Sequence, residues 1–363
     1  MQDDNEMGDE ALKWVGDAIE YNVKGGKLNR GITVIAVQKT LAKAKRVKKG
    51  ASDSSPDPKA NRSERNSKEP KEPLMTDLEI ARASVLGWSI EYLQSFFLVA
   101  DDIMDASLTR RGQPCWYKAP GVGMIALNDS FLLESFVFTI LRTHFGDSTY
   151  YADLIDLFLT VVQKTEFGQL LDLTSQTSQA NSSSNNSNTN NDVDLSRFTV
   201  DRYKKIVKYK TAYYTFYLPV AIGMLTSGVT SKVAFSLAEE ICCSMGEYFQ
   251  TQDDYLDCFG EAAVLGKVGT DIQDNKCSWL IVQALEVASP KQKEVLEKNY
   301  GKWEEGKVKK VKAVYVDLGL RKVFEVYENE SYERIVKEIE KIEDYVPREV
   351  FEFLLKKIYK RQK

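Results

Sequence analysis

Histidine is nearly missing from this chain. Its 363 residues contain one, His144, and nothing around Thr143-His144-Phe145 offers a nucleophile. A Ser-His-Asp triad or a multi-histidine metal site would need that residue in a different setting, so it reads as an ordinary helix-end residue. Cysteine is sparse as well. Cys115, Cys242, Cys243, Cys258 and Cys277 make an odd five with no Cys-x-x-Cys pairing and no zinc-like spacing, which suits reduced intracellular thiols. Long apolar runs are absent too. Tyr217 to Leu225 is the nearest, well short of the roughly 20 residues that span a bilayer. The acidic start Met-Gln-Asp-Asp-Asn-Glu is unlike a secretory or mitochondrial presequence, so the expected location is cytoplasmic, with no membrane span. A formal net charge of -4 argues against a nucleic-acid partner.

What the chain does have is carboxylates in a repeated pattern. Gln94 to Tyr117 contains an apolar run that ends in Asp101, Asp102 and Asp105, followed by Arg110 and Arg111. Residues four apart share a helix face, so Asp101 and Asp105 point the same way and repel. A hard divalent cation with oxygen ligands would compensate; Mg²⁺ commonly uses one or two carboxylates plus substrate phosphates. The two arginines are suited to gripping phosphate oxygens. One such cluster could equally be a solvated helix end. The same Asp-Asp-x-x-Asp spacing returns in Asp253, Asp254 and Asp257 after another apolar helical run. Two clusters of this kind can face each other across a cavity and hold a diphosphate through metal ions.

The remaining pattern is helical almost throughout. Candidate helices cover about Ala11–Tyr21, Ile32–Lys45, Thr76–Asp105, Gly123–Arg142, Tyr151–Thr174, Val200–Leu225 and Ser231–Phe259, with five more between Lys276 and Lys360. Convincing β alternation is absent; Ile32-Thr33-Val34-Ile35 is a possible strand that its helical continuation disfavours. The segments at about 46–73 and 177–194 are polar, rich in Ser and Asn or in Lys and Pro, and read as mobile loops. Neither marks a domain boundary, so residues 1–363 are expected to form one all-α domain, a helical bundle around a central cavity.

Three further stretches carry charge or rings. Gly25-Gly26-Lys27-Leu28-Asn29-Arg30-Gly31 is a basic turn opening a helix, either an anion site or a routine connection. Lys208 to Tyr217 puts Lys210, hydroxyls and aromatic rings on one helix. That is an aromatic core stripe, or the wall of a cavity that stabilises a carbocation. Gly266 to Lys276 places Lys267 and Lys276 around Asp271. Its approach to a phosphate-binding P-loop fails, because five residues separate Gly260 from Gly266 and Val268 follows the lysine.

Taken together, these motifs resemble the farnesyl diphosphate synthases, short-chain trans-prenyltransferases of the polyprenyl synthetase family. Gly-Gly-Lys-Leu-Asn-Arg-Gly, Phe-Phe-Leu-Val-Ala-Asp-Asp-Ile-Met-Asp, Arg-Arg-Gly-Gln, Gly-Gln-Leu-Leu-Asp-Leu, Lys-Thr-Ala-Tyr-Tyr, Phe-Gln-x-Gln-Asp-Asp-Tyr-Leu-Asp and Gly-Thr-Asp-Ile-Gln occur in the family's order. The resemblance implies an isoprenoid-synthase fold, a homodimer and Mg²⁺ ions, three per site. Its substrates would be isopentenyl, dimethylallyl and geranyl diphosphates. By resemblance, Asp101, Asp105 and Asp253 hold the metal, supported by Asp102, Asp254 and Asp257. Arg110, Lys210, Lys267 and Lys276 grip the allylic diphosphate. Lys27, Arg30, Gln94 and Arg111 hold isopentenyl diphosphate. Thr211, Tyr214 and Gln250 line the reaction centre, with Asp172 and Asp271 completing the polar wall, and the tail Lys360-Arg361-Gln362-Lys363 closes over it. Phe96 and Phe97, five and four residues before Asp101, would limit the product to fifteen carbons. The family usually carries one more helix ahead of the part that begins here, a departure that bears on packing and dimer formation rather than chemistry. The rival readings are a geranylgeranyl or longer-chain synthase, a terpene cyclase, or a non-catalytic subunit. The basic set Lys27, Arg30 and Arg111 weighs against the cyclase, and two intact acidic clusters weigh against the subunit.

Overall fold

The structure, a computed structural model, describes residues 7–52, 73–176, 193–261 and 269–361. Within them the chain is a bundle of helices. These are α1 (Asp9–Val23), α2 (Asn29–Ser52), α3 (Asp77–Met104), α4 (Ile125–Phe145), α5 (Tyr151–Gln176), α6 (Val200–Val207), α7 (Leu218–Thr226), α8 (Lys232–Phe259), α9 (Trp279–Val287), α10 (Pro290–Asn299), α11 (Glu305–Asp317), α12 (Leu320–Glu340) and α13 (Glu349–Ile358). The expected all-α architecture is present. His144 lies in the last turn of α4, and all five cysteines are free thiols.

The central helix is α3, packed between α2 and α4. Its start is set by a capping box: the Thr76 hydroxyl accepts from the Glu79 amide at 3.2 Å, and the Glu79 carboxylate accepts from the Thr76 amide at 2.7 Å. Its apolar side chains Leu86, Ile90, Leu93 and Val99 are buried. Gly31 and Gly87 let α2 and α3 touch backbone to backbone, since a β-carbon built on Gly87 would lie 2.8 Å from the Gly31 carbonyl oxygen. Two apolar clusters result. The larger unites α1 to α5 with α7, α8, the end of α12 and α13; the smaller gathers residues from Leu195 to Val207 and from Ile272 to Phe324, and Tyr327 packs against both.

Three expectations need correction. α2 does not stop near Lys45 but continues to Ser52, because Lys, Arg and Ala in that stretch are good helix formers. Most of the two expected loops (residues 53–72 and 177–192) lies outside the described residues. Ile32 to Ile35 is helical, as its helical continuation favoured. A minimal antiparallel hairpin does exist, with Thr109–Arg110 (β1) paired to Gln113–Pro114 (β2). Its turn residues Arg111 and Gly112 take φ of 53° and 78°, the double positive φ of a type I′ turn. Finally, the expected helix from Val200 to Leu225 is interrupted by ten residues of π-helix, Lys208–Tyr217. This wide segment packs between α5 and α8. Gly168 of α5 and Gly246 of α8 make room for it: β-carbons built there would lie 2.0 Å from the Lys210 nitrogen and 2.3 Å from the Ala212 β-carbon.

Candidate active site

The C-terminal end of α3, the inner face of α5 and the π-helical segment converge on one largely buried ionic cluster. Lys210 Nζ donates to Asp172 at 2.6 Å and to Asp101 at 3.0 Å. Lys276 Nζ donates to Asp105 at 2.5 Å and to Asp172 at 3.2 Å. Asp172 therefore bridges two ammonium groups, and each lysine also reaches one member of the first acidic cluster. Gln169, three residues before Asp172 on α5, donates its amide to Asp101 at 2.9 Å. Asp102 points the other way, as its position next to Asp101 on a helix requires. It is buried and gripped by Arg110, whose Nε and Nη2 donate at 2.8 and 2.6 Å; Arg110 Nη2 also lies 3.6 Å from Asp101.

Burial raises the cost of every charge in this cluster, and the counter-charges decide which carboxyls keep theirs. For Asp172, burial pushes the pKa up but Lys210 and Lys276 together pull it down to about 2. At Asp101, burial is likewise outweighed by Lys210, Lys276 and Arg110, so its pKa falls. Asp105 goes the other way: burial and the Asp101 charge raise it, with Lys276 and Lys210 offsetting only part. The repulsion anticipated from the four-residue spacing is thus present at Asp105. Both lysines are held above the ordinary lysine range by these carboxylates in spite of burial.

The second cluster, on α8, is arranged differently. Asp254 is buried, accepting from the Gln250 amide at 3.0 Å and from the Trp279 backbone amide at 2.7 Å. Burial raises its pKa to about 7 against these hydrogen bonds. Asp257 accepts from the Asp271 backbone amide at 3.1 Å. Asp253 is the exposed member, its side chain 42% accessible, and it pairs with Arg361. Arg361 also donates to the Gln252 side chain at 3.1 Å and lies 3.8 Å over the Phe249 ring, so the basic tail closes on this end of α8; Gln362 and Lys363 lie outside the described residues. The two clusters are linked through the π-helical segment: Thr211, adjacent to Lys210, donates to Gln250 at 3.1 Å.

A third group lies at the α1–α2 turn. Arg30 donates to the Thr215 hydroxyl at 2.9 Å and the Tyr214 hydroxyl at 3.1 Å, with its guanidinium 4.7 Å over the Tyr214 ring. Arg111 donates to the backbone carbonyls of Lys24 at 2.8 Å and Asn22 at 3.2 Å, clamping the turn that carries exposed Lys27. Phe97 packs on Tyr214 with ring centroids 5.7 Å apart, and Phe96 lies 4.7 Å behind Phe97. Gln94 is half-buried on α3 and joins none of these groups. Lys267 lies outside the described residues.

Hard oxygen donors dominate the cluster, and Asp105 Oδ1 is buried without a hydrogen-bond partner. That unpartnered oxygen and the donor chemistry fit a hard divalent cation. Among the described residues no three acidic, His or Cys side chains converge as a ready ligand set, because the Lys210 and Lys276 ammonium groups stand between the carboxylates. Sequence reasoning assigned no role to Gln169 or Thr215. The three-residue spacing from Gln169 to Asp172, which puts both on one face of α5, was the available signal for the first; for Thr215 the signal was its place among the hydroxyls of Lys208 to Tyr217.

The family model described as polyprenyl synthetase matches residues 12–318. The farnesyl pyrophosphate synthase of Gallus gallus is 49% identical over 360 residues, covering 99% of this chain and 86% of that protein. The farnesyl diphosphate synthase of Dictyostelium discoideum is 44% identical, covering 98% of this chain and 84% of its own length. Among solved structures, a crystal structure of T. brucei farnesyl diphosphate synthase superposes with a TM-score of 0.81 at 37% identity, over 99% of this chain and 94% of that one. With the fold, the paired acidic clusters and near full-length similarity in agreement, this chain belongs to the polyprenyl synthetase family, among the farnesyl diphosphate synthases.

Proposed function

We propose that this protein is a trans-prenyltransferase that makes farnesyl diphosphate, joining isopentenyl diphosphate first to dimethylallyl and then to geranyl diphosphate. The observation that carries the residue-level reading is the largely buried cluster of Asp101, Asp105 and Asp172 with Lys210 and Lys276. When bound, Mg²⁺ held by Asp101, Asp105 and Asp253 would neutralise the leaving diphosphate and so ease ionisation of the allylic C–O bond. Lys210, Lys276 and Arg110 supply positive charge for that diphosphate, each bonded to the carboxylates that orient it, and the resemblance adds Lys267 to them. Arg30, Arg111 and Lys27 hold isopentenyl diphosphate beside the π-helical segment. The Thr211 hydroxyl, the Tyr214 ring and the Gln250 carbonyl face the developing carbocation with oxygen dipoles and π density. The homoallylic double bond attacks that cation, and the departing diphosphate accepts the proton whose loss restores an alkene. Closing of the Arg361 tail excludes the water that would quench the cation.

The two apolar clusters form one domain in this reading, because Asp172 from the larger and Lys276 beside the smaller share the same site. Five free thiols suit a cytoplasmic setting. A homodimer is supported by exposed Leu127 and Phe131 on α4 and Leu159, Phe167 and Leu170 on α5, large apolar side chains of the kind a second copy covers. The functional test is incubation of purified protein with labelled isopentenyl diphosphate and each allylic starter, with and without Mg²⁺. The expected product is a fifteen-carbon diphosphate that disappears on chelation; a product formed equally well without divalent metal would overturn the reading.

A further inference from the structure

A cavity of about 270 Å³ lies far from the ionic cluster, bordered by the C-terminal half of α2, the start of α3, the end of α4 and the end of α7. Along α3, Arg82 and Asp101 are nineteen positions apart, or about 28 Å at ~1.5 Å per residue. Its floor is apolar: Leu86 and Phe145 are each 1% exposed and Met75 is 7% exposed. Its rim carries two cations, Lys45 and Arg82. Among the described residues the only carboxylate in the lining is Glu79, and its Oε2 accepts from the Thr76 amide and hydroxyl in the α3 capping box. Among the described residues neither Lys45 nor Arg82 has a carboxylate partner.

Both cations are held in place by neutral groups. Arg82 stacks 4.7 Å over the Phe145 ring, and its Nη2 alone donates to Ser148 at 2.8 Å and Tyr150 at 3.1 Å. Its Nε and Nη1 are therefore uncommitted among the described residues, in a group with five donors. Lys45 donates to the Ser227 carbonyl at 2.5 Å and retains two further N–H donors. Two fixed cations that pair with no carboxylate among the described residues, above an apolar floor, have the chemistry of an anion site joined to a hydrophobic pocket.

We propose that this cavity is a second binding site for a small amphiphilic organic anion, with a phosphate or carboxylate head on Arg82 and Lys45 and an apolar body against Met75, Leu86 and Phe145. The site is separate from the diphosphate chemistry, yet it is built from the far ends of elements that carry that chemistry. α2 bears Arg30 at its other end, α3 bears Asp101, and α7 continues directly from the π-helical segment with Lys210 and Thr211. Occupancy is thereby placed to bias the positions of all three.

The test is calorimetric titration of the full chain with octyl phosphate, octanoate, 1-octanol and inorganic phosphate, with Mg²⁺ and inorganic diphosphate present throughout to fill the active site. Octyl phosphate and octanoate should bind at least tenfold more tightly than either 1-octanol or inorganic phosphate. Lys45→Met should weaken octyl phosphate tenfold or more, and Ala42→Phe, which puts a ring into the cavity, should abolish its binding. Neither residue belongs to the reaction centre, so the turnover of each variant without octyl phosphate confirms that it folds. Equal binding of 1-octanol or of inorganic phosphate would overturn the amphiphilic-anion assignment. Undiminished octyl phosphate binding in active Ala42→Phe protein would place the ligand elsewhere.

Discussion

The backbones of Gly168 and Lys210 meet so closely that a β-carbon on Gly168 would lie 2.0 Å from the Lys210 nitrogen. α5 thus presses on the π-helical segment at the residue whose ammonium bridges Asp101 and Asp172. Gly168→Ala cannot be absorbed by a side-chain rotation, because the opposing atom is backbone. Overpacking of this kind costs about 1–3 kcal/mol, and a shift of Lys210 by ~1 Å can lower turnover by roughly 100-fold. The variant should therefore be folded, somewhat less stable, and severely impaired in turnover. Unchanged turnover in folded Gly168→Ala protein would show that the segment's position is not critical.

Asp172 offers a pH-dependent test. Its pKa of about 2 in the folded protein lies below the ~3.9 of an ordinary aspartate. Burial opposes the shift, and Lys210 and Lys276 more than overcome it. A depressed carboxyl stabilises the fold above its unfolded pKa and loses that contribution as pH falls through the folded one. The difference between wild type and Asp172→Asn should be about 2–3 kcal/mol at neutral pH, present in full above about pH 5 and shrinking towards pH 2. Urea midpoints at pH 7 and pH 3 measure it. A gap that stays constant between the two would mean that charge at Asp172 is not the cause.

The helices and both acidic clusters were legible because each is local: apolar spacing of 3.6 and the Asp-Asp-x-x-Asp repeat need no knowledge of the fold. The π-helical segment was not. Val200 to Leu225 reads as one continuous helix, and what widens it is contact with Gly168 and Gly246, residues on other helices. The hairpin was equally hidden, since two residues per strand give no alternation to detect; only Arg111-Gly112 hints at its turn. Clustered charge identified Lys210 and Lys276, but their shared partner Asp172 became visible as a bridge only with α5 in place.

Charge removal separates the roles of the clusters. Asp101→Ala or Asp253→Ala should lower turnover by roughly three or more powers of ten, because each removes stabilisation that matters mainly in the transition state. The folded state should respond unequally. Asp101 compensates Lys210, whose side chain is only 24% accessible, whereas Asp253 is 42% accessible and pairs with the tail. Asp101→Ala should therefore lower the melting temperature more than Asp253→Ala. Near-normal turnover in either would remove that residue from the metal-binding set.

Arg111 serves the α1–α2 turn twice, by its charge and by its bonds to the Lys24 and Asn22 carbonyls. Arg111→Ala should raise KM for isopentenyl diphosphate by about one to two powers of ten, as expected for loss of a charge-assisted contact worth ~1.5–3 kcal/mol. KM for the allylic substrate should move much less. Steady-state kinetics with each substrate varied in turn decides this, and equal changes would mean that the two diphosphate sites have been exchanged.

Chain length provides the last prediction, because the structure places Phe96 and Phe97 differently and so leads to a different expectation for each. Four residues on a helix advance about 400°, so Phe97 lies on nearly the same face as Asp101, whereas Phe96 is turned well away. The contacts agree: Phe97 is half-buried and packs on Tyr214 of the π-helical segment, while Phe96 is 7% exposed and backs Phe97 at 4.7 Å. An allylic chain anchored at the ionic cluster and growing down α3 would meet the Phe97 ring first. Phe97→Ala alone should accordingly shift the product from fifteen carbons to twenty or beyond. Phe96→Ala should act only indirectly, by letting Phe97 settle back, and should cost more stability, up to the ~3–5 kcal/mol of a buried Phe→Ala change. Product chromatography beside thermal melts tests both halves. Phe97→Ala protein that still stops at fifteen carbons, or Phe96→Ala protein that lengthens the product as far as Phe97→Ala does, would show that Phe97 is not the floor of the pocket.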